Sequence, residues 1–469
     1  MPTASTTRPA GTWVEQPISP VAAPGPDPSI AARLERLPLT SYQRGIFLVI
    51  ATAWFFDSLD LGALTFLLGS IRSEWGLSVQ QAGLMSSAGF LGMFAGAAAS
   101  GMLADRFGRS AVLQLSIIAW GIGGLCCGLA PDAVTFGFAR LLVGIGMGME
   151  FPVAQALVSE FMPAKRRGQY VAYLEGLWPV GFVVSGLICL GALAFGHWRW
   201  AFIIESVPAV FVFVVRRRIP ESPRWLAARG LHARADAVMS SIEDHVRARL
   251  SGAPLPAPSV EVNDEVGKTG FAALWSGRYA RRTAMLWALW FLAMLGYYGL
   301  TTWLGALLQQ AGFAVTKSVY YTILISLAGI PGFLFAGWLV EHWGRRQSCA
   351  AMLIAAAAFA YFYGTASSPT ALIGFGLCMQ FFMFGMWCVV YAYTPELYPT
   401  RVRATGSGFA SAIGRLGALL GPYLVGTLLP LAGQSGIFAL AAGAFVLAAV
   451  VVLAFGDETR GRTLEEVSP

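Results

Sequence analysis

Long apolar segments are the feature that most constrains the fold of this 469-residue chain. A helix must run for about 20 residues to cross the roughly 30 Å hydrocarbon core of a bilayer. With 56% hydrophobic and only 12% charged residues, the composition excludes an ordinary soluble protein, and we predict an all-α integral membrane protein. Twelve spans are predicted, at approximately 44–70, 80–104, 110–130, 133–158, 168–195, 199–217, 283–311, 317–341, 347–366, 370–394, 403–430 and 434–456.

A charged turn between apolar segments occurs twice. Residues 101–109 read Gly-Met-Leu-Ala-Asp-Arg-Phe-Gly-Arg, and residues 337–345, at a spacing of 236, read Gly-Trp-Leu-Val-Glu-His-Trp-Gly-Arg. A second acid and arginine keep that spacing, as Glu160 and Arg167 and again as Glu396 and Arg403. The constant spacing predicts a duplicated unit, and internal repeats of this kind are typical of membrane transporters.

The domain boundaries and the orientation follow from where the charged residues lie. With both termini inside, 27 of the 32 Lys and Arg residues fall in the tails and the even-numbered connections, as cytoplasmic loops require. The net charge of +7 therefore needs no nucleic-acid partner, and the six cysteines lack the spacing of a metal site or disulfide framework. The predicted domains are a disordered cytoplasmic N-terminal tail (1–43), a six-helix bundle (44–217), a cytoplasmic insert with short helices (218–282), a second six-helix bundle (283–456) and a cytoplasmic C-terminal tail (457–469).

Twelve spans, a central insert and the repeated turn together resemble the major facilitator superfamily, over about residues 44–466. Residues 220–226 read Pro-Glu-Ser-Pro-Arg-Trp-Leu and residues 458–466 read Glu-Thr-Arg-Gly-Arg-Thr-Leu-Glu-Glu, which look like the marks of sugar porters and their organic-ion relatives. The resemblance implies two pseudo-symmetric six-helix bundles in a plasma membrane, with a bacterial inner membrane expected. It also implies a transporter rather than an enzyme, with the proton gradient as energy source and no cofactor.

Charged groups around the repeated turns offer complementary charges at helix ends, where acids suit N-termini and bases suit C-termini. Such pairs would latch one face of the protein while the site opens to the other, or they would only fix the topology. The predicted gating residues are Asp105, Arg109, Glu160, Arg167, Glu221, Arg224, Glu341, Arg345, Glu396 and Arg403.

Charges inside the bilayer are costly, so each one is a candidate functional group. Asp57 and Asp60 are three residues apart and therefore lie on one face of helix 1. In the resemblance to sugar porters, Asp60 stands where the proton-coupling aspartate is found, and Arg140 in helix 4 matches its partner. Asp60 and Arg140 are predicted to couple proton movement, with Asp57 sharing the proton or lining the cavity. The alternative is a permanent ion pair that only joins two helices.

The predicted substrate site differs from that of sugar porters. Where those proteins have a glutamine in helix 5 and paired glutamines in helix 7, this chain has Glu175 and the pair Tyr297 and Tyr298. Flat rings offer stacking surfaces, whereas hexoses need many hydrogen-bonding groups. The aromatic residues near the middle of spans 1, 5, 7 and 10 are Trp54, Phe56, Trp178, Tyr297, Tyr298, Trp387, Tyr391 and Tyr393.

The Asp-x-x-Asp spacing of helix 1 and the run Tyr-Tyr-Gly-x-x-x-Trp at 297–303 resemble the proton symporters of aromatic and heteroaromatic acids, such as the nicotinate permeases. The function so implied is proton-coupled uptake of a small aromatic carboxylate by a monomer in the lipid bilayer. A sugar or organic-cation carrier is the alternative, and a transporter-like membrane sensor is a third. The predicted substrate-binding residues are Trp54, Glu150, Glu175, Trp178, Tyr297, Tyr298, Trp303, Trp387, Tyr391 and Arg415.

Overall fold

The computed structural model describes residues 29–163, 166–250, 253–257, 274–398 and 402–460, and these ranges contain helices and no strand. A short helix precedes the first half, and two more follow it. The helices up to residue 250 are α1 (Ile30–Glu35), α2 (Ser41–Glu74), α3 (Val79–Phe107), α4 (Arg109–Leu129), α5 (Ala133–Phe161), α6 (Arg167–Ala194), α7 (Arg199–Ser206), α8 (Val212–Arg218), α9 (Pro223–Ala228) and α10 (His232–Arg247). A 3₁₀ turn, Val207–Phe211, joins α7 to α8.

The second half repeats this order. Its helices are α11 (Gly277–Gln310), α12 (Val315–Leu327), α13 (Gly329–Trp343), α14 (Arg345–Thr365), α15 (Pro369–Glu396) and α16 (Arg403–Phe455). We call the end of the bundle at which α9 and α10 lie the insert end, and the other the opposite end. The second half begins at Gly277 rather than at residue 283, because α11 extends beyond its apolar run toward the insert.

Ten helical segments of the described chain are long and apolar enough to cross a membrane, when α12 and α13, which only Ala328 separates, are counted as one segment, Val315–Trp343. Two further breaks reconcile this number with twelve crossings. The helix α16 holds the last two crossings, which meet at Gly433, whose φ of 65° and ψ of −177° are not helical. The sixth crossing consists of α7, the 3₁₀ turn and α8, each too short to span a bilayer alone. The predicted all-α fold with twelve crossings is confirmed.

Side-chain caps explain where several helices begin. Ser78 accepts from the backbone N–H of Gln81 (3.1 Å), and the Gln81 side chain accepts from the Ser78 N–H (2.9 Å), which is a capping box for α3. The carboxylate of Asp132 accepts from the N–H groups of Thr135 and Val134 at the start of α5, and these hydrogen bonds lower the pKa of Asp132.

Glycines let helices within each half approach closely. A Cβ at Gly144 or Gly148 of α5 would collide with the backbone of α3, and one at Gly417 of α16 would collide with the backbone of α11. The two halves meet near the opposite end. There the Ser87 hydroxyl of α3 donates to the Leu419 carbonyl of α16 (2.8 Å).

The turns between α3 and α4 and between α13 and α14 have the same backbone geometry, as the repeat predicts. Gly108 has φ 102° and ψ 157°, and Gly344 has φ 94° and ψ 167°. In this region of backbone space only glycine is unstrained. A Cβ on Gly108 would also run into the carboxylate of Glu221, and a Cβ on Gly344 into that of Glu458.

We expect Gly108→Ala to destabilise the protein by about 1–3 kcal/mol, because alanine would have to adopt this strained backbone and push the Glu221 carboxylate away. The matched control is Gly101→Ala in the same motif, a helical position where a Cβ meets nothing within 4 Å. Thermal unfolding of the detergent-solubilised protein measures both. Equal melting temperatures for the two variants would contradict the assignment.

The predicted disordered tail 1–43 contains α1 in its described part, which begins at residue 29. The reason is a set of ion pairs with the insert. The Glu243 carboxylate of α10 accepts from Arg33 (3.0 and 3.1 Å) and from Arg36 (2.7 Å) of α1. Burial raises the pKa of Glu243, but the hydrogen bonds and charges of Arg33 and Arg36 outweigh it, so the pKa lies below its ordinary value.

The lowered pKa of Glu243 predicts how α1 responds to pH. The pairing contributes stability above the pKa of the carboxyl in the undocked state, and that stability is lost as pH falls through the lower pKa of the docked state. We expect hydrogen exchange in α1 to be slow near pH 7 and to accelerate in the acid range below the ordinary glutamate pKa of about 4.3, after correction for intrinsic rates. In Glu243→Gln, α1 should exchange fast throughout. Equal protection in both proteins would show that the ion pairs of Glu243 do not hold α1 in place.

Candidate functional site

A cavity lies between the two halves, with walls from both. The space between its walls is about 590 Å³, open solvent at its mouth included. Its lining residues are Trp54, Asp57, Met93, Met147, Phe151, Glu175, Trp178, Pro179, Met294, Tyr297, Tyr298, Phe333, Phe384, Trp387, Tyr391 and Arg415.

Aromatic rings from both halves form much of the cavity wall. In the first half the Trp54 and Trp178 ring centroids are 5.6 Å apart. In the second half Trp387 lies 5.5 Å from Tyr297, at nearly a right angle, and 5.7 Å from Tyr391. Aromatic side chains bind a planar guest by offset or edge contacts, so a wall of such rings suits one.

Three charged side chains stand among these rings. Asp57 and Glu175 come from the first half and Arg415 from the second, and each is at most 6% exposed. Gln155 of α5 donates from Nε2 to Oε1 of Glu175 (3.0 Å). The Arg415 guanidinium lies 5.5 Å from the centre of the Phe151 ring. The predicted residues that line the cavity are thus Trp54, Asp57, Glu175, Trp178, Tyr297, Tyr298, Trp387, Tyr391 and Arg415.

Several polar atoms of the cavity wall are buried and make no hydrogen bond with the described residues. Within the described residues, Asp57 Oδ1, Trp54 Nε1 and Arg415 Nε have no hydrogen-bond partner. Leaving such groups unpaired costs roughly 1–3 kcal/mol each. The wall therefore offers two donors and an acceptor that a polar guest would satisfy.

Asp60 and Arg140 form an ion pair just outside the cavity lining. Arg140 Nη1 lies 2.5 Å from Asp60 Oδ2, and the side chains are 1% and 7% exposed. Asp60 is three residues beyond the lining residue Asp57 on α2, and Arg140 projects from α5, so the pair joins two helices of the first half. Arg140 Nε has no partner in the described part of the chain, so Asp60 compensates only part of the guanidinium.

Two predicted substrate residues do not line the cavity. Glu150 points into the first half, where its Oε2 accepts from Trp120 Nε1 (3.1 Å) and Ser116 Oγ (3.3 Å). Trp303 is buried between α11 and α16, and its Nε1 donates to the Pro422 carbonyl (3.2 Å).

Two aromatic residues named from the sequence, Phe56 and Tyr393, also lie elsewhere, as does the buried acid Glu205. Phe56 packs on Phe211. The Tyr393 hydroxyl donates to the Asp457 carbonyl (2.5 Å), and Glu205 accepts from the Ser185 hydroxyl (2.8 Å).

At the insert end, the predicted gating residues form pairs within each half. Arg109 lies 2.7 Å from Glu160, and Arg345 lies 3.0 Å from Glu396 and 3.4 Å from Glu341. Arg224 pairs with Glu35 of α1 (2.6 Å), while Asp105 takes part through its carbonyl, which accepts from Trp225 Nε1 (2.8 Å). The side chains of Arg167 and Arg403 lie outside the described residues.

Glu221 and Glu458 act as caps in the two halves, and the second was missed in the sequence. Glu221 Oε1 accepts from the N–H groups of Arg109 (2.8 Å) and Ser110 (3.2 Å) at the start of α4. Glu458 accepts from those of Arg345 (2.8 Å) and Arg346 (3.2 Å) at the start of α14. Gln155, which orients Glu175, was missed as well, since nothing in its sequence context distinguishes it.

The sequence of residues 47–469 matches a family model described as sugar (and other) transporter. The chain belongs to that family, within the major facilitator superfamily. Its members are transporters and not enzymes, so this is a multi-pass membrane transporter. No group of three or more His, Cys, Asp or Glu that could hold a metal ion occurs in the described chain.

Relatives and solved structures are similar over nearly the whole length. The niacin transporter NiaP of Acinetobacter baylyi is 36% identical over 93% of this chain and 99% of its own. The 4-hydroxybenzoate transporter PcaK of the same organism is 30% identical over 85% of this chain and 87% of its own. The partially occluded inward-open structure of the xylose transporter XylE from E. coli superposes with a TM-score of 0.72 at 18% identity, covering 90% of this chain and all of that one, which shows the fold.

A double-mutant cycle tests whether the buried pair behaves as one unit. Arg140→Gln leaves the Asp60 carboxylate buried without its partner, and breaking a buried pair from one side costs about 3–5 kcal/mol. Asp60→Asn combined with Arg140→Gln removes both charges and should recover much of that loss. Melting temperatures of the purified variants measure this, and additive losses would mean that the two side chains are not coupled.

Proposed function

We propose that this protein is a proton-coupled symporter that takes up a small aromatic or heteroaromatic carboxylate, such as nicotinate or hydroxybenzoate. The single observation that carries the proposal is the cavity between the halves, where aromatic rings surround one guanidinium, that of Arg415. Two relatives of high coverage, named for niacin and for 4-hydroxybenzoate, support the same substrate class.

In this proposal Arg415 binds the carboxylate of the substrate. A guanidinium presents paired N–H donors that match a carboxylate in plane, and Nε of Arg415 has no other partner within the described residues. Trp178, Trp387 and Tyr391 supply ring faces. Such faces bind a flat ring by offset or edge contacts, worth about 0.5–1.5 kcal/mol each beyond the area buried.

The composition of the wall argues against a sugar. Among the described lining residues there is no asparagine, glutamine, serine or threonine, whereas a hexose needs several uncharged hydrogen-bonding groups. An organic cation would be attracted by Asp57 and Glu175, but Arg415, which lines the same cavity, opposes it.

Coupling is assigned to Asp60 and Arg140, with Asp57 between them and the substrate. Protonation of Asp60 weakens its hold on Arg140, because the ion pair becomes a hydrogen bond to a neutral acid. The α2–α5 contact then loosens, and the first half changes its packing on the second. Import of a monoanion with one proton moves no net charge, so uptake follows the pH gradient more than the membrane potential, whose effect is about 2.3 kcal/mol per charge per 100 mV. No cofactor is required.

The contacts between halves support transport by alternating access. The Ser87–Leu419 hydrogen bond joins them near the opposite end, while the ion pairs of the insert end each join helices of one half. Access is then from the insert end, which lies in the cytoplasm in this proposal because its loops are rich in Lys and Arg. The expected location is a bacterial inner membrane. The pairs at the insert end stabilise each half as a body that rocks against the other, and a monomer suffices.

Reconstitution in sealed vesicles tests the proposal. With an inward pH gradient, the wild-type protein should accumulate labelled nicotinate or hydroxybenzoate above equilibrium and should take up protons with them, but not with glucose or a quaternary ammonium compound. Absence of solute-dependent proton movement with every ring acid would disprove the symport.

Asp60→Asn tests the coupling residue. We expect it to abolish uphill accumulation while exchange of labelled for unlabelled substrate stays partly intact, because binding uses Arg415 and the rings rather than Asp60. Accumulation at the wild-type level would remove Asp60 from the coupling mechanism.

A further inference from the structure

One charged group of the cavity has no part in the binding mode proposed above. Glu175 lies on α6 of the first half, and Arg415 on α16 of the second, so the two line the same cavity from different halves. Glu175 is 3% exposed, and among the described residues no cationic side chain lies within ion-pair distance of it. A carboxyl buried without a cation is costly unless something else binds it.

The surroundings of Glu175 point to a ligand as its partner. Gln155 donates to Oε1, which fixes the orientation of the carboxyl group. Among the described residues, the hydrogen bond that Glu175 accepts ends on Oε1, so Oε2 remains available to the cavity that Glu175 lines. Asp57, the second carboxyl of the wall, differs because no hydrogen-bond donor of the described chain orients it.

We propose that Glu175 selects ring acids that carry a second hydrogen-bonding atom, above all the ring nitrogen of a pyridine carboxylate. This rests on the proposed function. The substrate carboxylate pairs with the guanidinium of Arg415, and its ring lies among the tryptophans. One proton is shared in a hydrogen bond between Oε2 of Glu175 and the ring nitrogen. That proton is present beforehand either on the Glu175 carboxyl or on the ring nitrogen, and no other bond changes.

The consequence is discrimination against benzoate. A site built to hydrogen-bond a substrate atom rejects the analogue that lacks it, because the buried group of the protein is then left unpaired. A pyridine carboxylate would also connect the two halves through Glu175 and Arg415, whereas benzoate would contact only the second half by polar groups.

Equilibrium binding to the full-length protein in detergent tests the inference, with labelled nicotinate as the probe and unlabelled benzoate as the competitor. The wild type should prefer nicotinate by at least about tenfold, the loss expected for one hydrogen bond to a buried acid. Glu175→Met and Glu175→Leu should bring the two affinities to within about twofold, mainly by weakening nicotinate. Glu175→Gln, whose amide N–H can donate to a ring nitrogen, should keep part of the preference.

Asp57→Asn is the matched comparison, and it should change the two affinities by the same factor. Equal affinities in the wild type, equal losses for both acids in the apolar Glu175 variants, or loss of the preference in Asp57→Asn would each overturn the inference alone. A wild-type protein that binds neither acid would overturn the proposed function with it. Where neither apolar variant folds, as judged by size exclusion and melting temperature, the wild-type ratio decides.

Discussion

A charge placed in the interior of a membrane protein has to be paired, hydrogen-bonded or neutralised, and this constraint organises the interior of this chain. The first half holds the ion pair Asp60–Arg140 and the carboxyls of Glu150 and Glu205, each bound by neutral donors. The second half contributes Arg415 to the cavity. The interiors of the two halves are therefore unlike, although their loops repeat.

The repeat persists where it serves the stability of each half. In both, a glycine with positive φ ends one helix, an arginine begins the next, and a glutamate from a later loop caps that helix. A glutamate at the end of the fourth crossing of the same half, Glu160 or Glu396, then pairs with the arginine side chain. Exposed ion pairs are individually weak. Here the arginine that forms the ion pair also donates its backbone N–H to the capping glutamate, so each motif forms a network. Each network joins several helices of one half at the insert end.

Much of this was readable from the sequence, because apolar length and duplicated motifs are local signals. The crossings, the repeated turn and nine lining residues of the cavity follow from runs of residues and from resemblance. The capping role of Glu458 was not predicted, because this residue lies 237 residues after Glu221, one more than the spacing of the other motif residues. Helix α1 was not predicted, because its stability comes from Glu243, more than 200 residues away.

Trp303 illustrates the limit of arguing from a motif. It lies six residues after Tyr297, and at 3.6 residues per turn this rotates it roughly 120° away from that tyrosine's face of α11, toward α16 instead of the cavity. On α15 the lining residues Phe384, Trp387 and Tyr391 keep helical spacing, whereas Tyr393 does not. Helical phase separates wall residues from packing residues once one of them is placed, but the sequence alone does not fix the phase in a helix that is apolar all round.

The asymmetry of the interior has a mechanical consequence. The groups assigned to the proton lie on α2 and α5, and the guanidinium assigned to the substrate lies on α16. A substrate whose polar groups contact only the second half would leave proton movement and substrate binding on different halves. A substrate that also meets α6 through Glu175 spans the cavity, so its binding energy depends on the distance between the halves and favours the arrangement in which both contacts are made. In the proposed mechanism, protonation of Asp60 and binding of the solute therefore act on the same motion, because both would change how the first half packs against the second.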